Sequence, residues 1–229
     1  MFIASELIPL WLAIAAGLVM LVACSHGAYQ AHRLQATSMT RPAIRQVSVR
    51  QHLLLGGIFS CVLLWLMSVH IIDSLWLHFL GITALVTLVG LRFALLVGAV
   101  ATALFALLID QPLAGAPPAW LATVAAPALV SRLVVFRVRG LRSNNLFLYL
   151  LGVGFAGGML AMLATVLASL GLLWLCDQQF WVTEALQNWP LLLLILFPEG
   201  FINGMIVTTL TVFYPQLVKT FDETHYLGD

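Results

Sequence analysis

The chain has 229 residues, of which 62% are hydrophobic and 8% charged, against about 25% charged in soluble domains. So little polar surface cannot keep a compact domain of this size wetted, and a soluble globular fold is excluded. The net charge of +1 carries little information by itself, and three distant cysteines (Cys24, Cys61 and Cys176) form neither a disulfide framework nor a Cys-x-x-Cys site.

In chain order, the first apolar run covers 3–22 and meets the roughly 20-residue length of a spanning helix. Leu21-Val22-Ala23-Cys24 has the look of a lipoprotein cleavage box, but no Lys or Arg precedes the run and Glu6 sits inside it. Those flanks favour a retained helix over a cleaved signal. A polar stretch over 26–51 holds Arg33, Arg41, Arg45 and Arg50. Runs over 53–69 and 79–91 follow, parted by a short polar break at His70, Asp73 and His78. A fourth run, 93–109, ends at Asp110 and a Pro- and Gly-rich turn. The fifth, 120–136, passes into Arg137, Arg139 and Arg142. The sixth, 146–175, carries Gly154 and Gly158; after a polar, aromatic connection the seventh runs over 191–213. The pattern predicts a single all-α polytopic membrane domain over residues 1–229, with about seven spans.

Lys and Arg collect on the cytoplasmic side of membrane proteins. With the N-terminus outside, all ten basic residues fall in or beside the predicted inside segments, including Arg92, Arg132 and Lys219. The outside connections hold only Asp73, Asp110, Asp177 and Glu184 as charges. The C-terminus is then cytoplasmic, and His70, Asp73 and His78 face outward. Trp76, Trp120, Trp181 and Trp189 are expected to anchor the outer interface.

Neutral imidazole suits nickel, copper, zinc and cobalt. A loop folding back could bring His70 and His78 to one ion, with Asp73 as an oxygen ligand; the alternative is histidines anchored to headgroups or backbone. Glu199 lies about nine residues into the seventh run, and intramembrane carboxylates point to function by default. Asn203 is one turn on, so both can face the same way; a protonated or hydrogen-bonded Glu joining two helices is the other reading. Gly200 and Gly204 form a small-xxx-small pair, as do Gly154 and Gly158, and both suit close helix packing. Met162 is expected to fill space. No phosphate loop, nucleophile elbow or haem attachment motif occurs, so no enzyme is expected.

At these residues the chain resembles the membrane substrate-capture component of cobalt and nickel energy-coupling-factor transporters, the CbiM type. Trp76-Leu77-His78-Phe79-Leu80-Gly81-Ile82-Thr83-Ala84-Leu85 matches the metal-binding His of that family and the Leu-Gly after it. Glu199-Gly200-Phe201-Ile202-Asn203-Gly204 matches its Glu-Gly-Phe-x-x-Gly signature. The family opens Met-His-Ile-Pro-Asp-Gly-Phe, whereas this chain opens Met1-Phe2-Ile3-Ala4-Ser5-Glu6-Leu7. The resemblance therefore carries over His78 and the amine of Met1 as ligands, and leaves His70, Asp73 or Glu6 to replace the missing second-position histidine. It implies a divalent transition-metal ion as substrate, cobalt or nickel, with zinc or copper open. It also implies a membrane coupling protein and cytoplasmic ATPase subunits as partners, the bacterial inner membrane as location, and no nucleic acid. The alternative is a non-transporting accessory or assembly subunit built on the same scaffold, which Phe2 favours.

Overall fold

The computed structural model describes residues 2–3, 7–36, 42–72, 75–141, 145–222 and 226, and for 2–3, 30–36, 42–50, 69–72, 75–77 and 192 the backbone alone. Apolar runs become helices because lipid offers the backbone no hydrogen-bond partners. In order these are α1 (Leu10–Ala36), α2 (Pro42–Leu66), α3 (Ile82–Val89) and α4 (Leu91–Leu108). Then come α5 (Leu113–Gly140) and α6 (Leu146–Leu175), followed by α7 (Gln179–Gln187), α8 (Trp189–Leu194) and α9 (Leu196–Phe213). Among the described residues, five stretches are long and apolar enough to cross a membrane: Leu10–Tyr29, α4, α5, α6 and the α8–α9 unit Trp189–Phe213.

Two sequence expectations change here. The 70–78 break is not an irregular loop but an antiparallel hairpin of β2 (Val69–Ile72) and β3 (Leu75–Leu77), joined by β1 (Phe2–Ile3) in the order β1-β3-β2. The fold is the expected all-helical membrane architecture, with this small sheet added at the break. The third run also does not form one full-length helix: α3 has eight residues, about 12 Å at 1.5 Å per residue, less than half the bilayer core. Gly81 before it (φ 67°) and Gly90 after it (φ 83°) both take left-handed backbone, which a side chain resists. Those two turns cut the apolar stretch where hydropathy alone reads continuity.

Short as it is, α3 sits in the middle. Ile82 through Thr87 and Val89 are buried, and α2, α4, α5, α6 and α9 all pack around it. Trp120, expected at an interface, is buried beside this core, and its indole N–H donates to the Leu95 carbonyl at 3.1 Å. Trp189 stays exposed. Met162 is buried as filler. Around the core, α1, α2 and α9 turn large apolar side chains outward, among them Leu18, Leu21, Phe59, Phe201 and Phe213, as a bilayer surface requires.

A close backbone contact joins α6 to α9. A Cβ at Gly154 would meet the Gly204 Cα at 3.0 Å, and one at Gly158 would meet the Gly200 Cα at 3.0 Å. The two small-xxx-small motifs are therefore each other's partners, and backbone lies on backbone. Overpacking of this kind costs about 1–3 kcal/mol. Gly158→Val is expected to lower the thermal midpoint of the detergent-solubilised protein by several degrees, whereas Gly171→Ala, where a Cβ meets nothing within 4 Å, leaves it unchanged; a thermal melt of both variants checks this.

Candidate metal centre

His78 follows β3 directly and leads through Phe79, Leu80 and Gly81 into α3. Sequence reasoning places it on an outward-facing break; in the structure it is 1% exposed. Its ring packs against Trp65 of α2, with centroids 5.5 Å apart, and Phe105 of α4, at 5.9 Å. These two rings also meet edge to face at 5.9 Å. Nδ1 of His78 lies 3.0 Å from the Phe79 carbonyl oxygen. A carbonyl only accepts, so Nδ1 carries the hydrogen. The other nitrogen, Nε2, is buried with no partner among the described residues. Burial also holds the imidazole well below its ordinary pKa, against the opposing pull of the Phe79 carbonyl. A neutral imidazole anchored through Nδ1 with a free Nε2 lone pair is the form that ligates a metal.

The loop that carries His78 is held from α9. The Glu199 carboxylate accepts the Leu80 N–H at 2.8 Å and the Gly81 N–H at 3.0 Å. Asn203 donates to Glu199 Oε1 at 2.6 Å, and its own oxygen accepts the Ala84 N–H at 2.9 Å. Both side chains are 0% exposed. From one turn apart on α9, they cap the first turn of a helix on another part of the chain, where unpaired N–H groups and the positive end of the helix dipole favour an anion. Every described partner of the carboxylate is a donor, the set that the ionised form satisfies. The Trp65 indole N–H donates to the Leu80 carbonyl at 3.2 Å, so the residue that flanks the His78 ring also fixes the loop. Of the two sequence readings of Glu199, the geometry supports hydrogen-bonded joining of two elements, with one addition: what it joins is the His78 loop.

Of the other predicted site residues little is described. His70 stands in β2 opposite Trp76, with its backbone alone described; Met1, Glu6 and Asp73 lie outside the described residues. Among the described residues no group of three or more His, Cys, Asp or Glu side chains could hold a metal ion. The register does bring the start of the chain to the site. Phe2 pairs with Trp76 and Ile3 with Leu75, so β1 runs beside the strand that ends one residue before His78. Trp65 and Phe105 were missed by sequence reasoning. Their aromatic character gave no signal, because such residues are common in any apolar helix. A cleft of about 230 Å³ between α2, α3 and α9, lined by His52, Cys61, Gly81 and Leu210 among others, does not reach His78.

Comparison with known proteins bears on this geometry. No curated protein matches the sequence. A crystal structure described as that of a truncated transition metal transporter superposes with a TM-score of 0.71 at 17% identity, covering 94% of this chain and 98% of that one. At that identity the likeness shows the fold. Residues 2–217 match the CbiM family, described as the cobalt uptake substrate-specific transmembrane region. With His78 and Glu199 both inside the matched span, the chain belongs to the CbiM family of cobalt-uptake membrane components.

Proposed function

We propose that this membrane component captures a divalent transition-metal ion at His78 on the outer face, using Nε2 and the amine of Met1 as its first two ligands. The observation that carries this is the buried Nε2 of His78, unpartnered among the described residues, in a cage of Trp65 and Phe105 with the amino-terminal strand alongside. An orphaned buried nitrogen is costly unless something comes to it. Phe2 brings no imidazole, so His70 and Asp73 are the proposed replacements. The ion is of the borderline class that imidazole and amine prefer, cobalt or nickel first, with zinc and copper also suited.

Outer-face capture rests on the charge distribution, with every Lys and Arg in or beside the segments placed inside. Energy for uptake would come from a membrane coupling protein and cytoplasmic ATPase subunits, and the bacterial inner membrane is the matching location. The non-transporting accessory reading draws on one residue, Phe2 in the place of a family ligand. The retained geometry around His78 supports capture instead.

Two experiments test the reading. Elemental analysis of detergent-purified protein exposed to mixed cobalt, nickel, zinc and copper is expected to find about one ion per chain in the native protein and none in His78→Ala. No metal in either protein would overturn capture and favour the accessory subunit. In the second, Glu199→Ala strips the acceptor from two buried N–H groups, each costing about 1–3 kcal/mol when unpaired. Metal affinity is expected to fall at least about tenfold, with a lower thermal midpoint. Glu199→Gln, which keeps one acceptor oxygen, is expected to fall between Glu199→Ala and native. Unchanged affinity in a metal titration of folded Glu199→Ala would show that Glu199 does not hold the site.

A further inference from the structure

The end of α3 opposite His78 is also capped from outside. After α9 the chain turns through Pro215–Leu217 and lays residues 218–221 across the last turn of α3. The Lys219 N–H donates to the Leu88 carbonyl at 3.2 Å and the Thr220 N–H to the Thr87 carbonyl at 3.1 Å. The Thr220 hydroxyl reaches the same Thr87 oxygen at 3.2 Å, and Lys219 Nζ lies 3.5 Å from the Val89 carbonyl. These are carbonyls that a helix end leaves without intrahelical partners, and a cation there matches the negative end of the helix dipole.

The strap is itself pinned. Arg139, near the end of α5, donates to the Thr220 carbonyl at 2.6 Å. The Tyr149 hydroxyl on α6 lies 2.9 Å from the Thr220 hydroxyl. Phe221 and Tyr226 stack at 5.3 Å, and both pack on the Tyr149 ring. Val218, Thr220 and Phe221 are buried, so this is a built contact and not a loose tail.

We infer that the 218–221 strap is a positioning element for the metal centre: by seating the far end of α3, Thr220 sets how firmly the loop carrying His78 is held. The path is short and physical. Between the strap and that loop lies one rigid helix of eight residues bounded by two positive-φ glycines, and a segment bounded in that way moves as a unit when either seat is loosened. The inference rests on His78 as the capture residue, but its structural half can be measured without metal.

Thr220→Val keeps the shape and removes both hydroxyl contacts; Thr220→Ser restores the hydroxyl. Amide hydrogen exchange over 78–84 in the metal-free, detergent-solubilised protein is expected to quicken on the order of tenfold in Thr220→Val and to return toward native in Thr220→Ser. Cobalt or nickel loaded onto the protein is expected to dissociate faster in the same order. Should Thr220→Val not fold, Tyr149→Phe, which removes one of the two hydroxyl contacts from the other side, is expected to show the same effect at smaller size. Native exchange over 78–84 in a folded variant would overturn the inference. So would faster exchange with unchanged metal release. If native protein binds no metal, the capture reading fails by itself and the exchange result still decides whether the strap seats α3.

Discussion

A helix leaves its first four N–H groups and last four carbonyls without partners inside itself. In a helix of eight residues that is half the backbone, and in a dry interior each such group left alone is costly. α3 is held because one stretch of chain reaches both of its ends. Glu199 and Asn203 meet the first end, and Lys219 and Thr220 meet the second. The rest of the architecture follows from that demand. α9 must run alongside α3 to span both ends, and the close α6–α9 contact keeps it there. The tail must fold back, which Arg139 and Tyr149 secure.

The same arrangement serves chemistry. A ligand histidine gains nothing from burial unless the backbone around it is fixed, since a loose loop would pair the ring with whatever polar group lay near. Here the two peptides after Phe79 are held by a carboxylate, the Leu80 carbonyl by an indole, and the ring by two aromatic faces. One nitrogen is used and one is left. Preorganisation of this kind spares the binding step the entropy of arranging its own ligand.

Class and much of the site were legible in the residues. Hydropathy found every long helix, and Glu199 and Asn203 stood out because polar groups in apolar runs are rarely idle. Their partners could not be read, since hydrogen bonds to Leu80, Gly81 and Ala84 reach across about 120 positions and go to backbone, which leaves no trace in side-chain pattern. The third run misled for a related reason: hydropathy responds to burial, and α3 is buried in protein more than in lipid. The hairpin was hidden because Val69, Ile71, Leu75 and Leu77 extend the apolar signal on either side of His70 and Asp73.

The glycine contact between α6 and α9 also bears on how the protein can diverge. Where backbone lies on backbone a larger residue costs stability, so Gly154, Gly158 and Gly200 have little room to drift. The hairpin and the opening residues are under no such geometric rule, because their strands pair through backbone groups that any non-proline residue supplies. A lineage can therefore change the side chains of its first residues while the seat of His78 stays unaltered. Phe2 shows the tolerance, since it pairs with Trp76 through backbone groups alone.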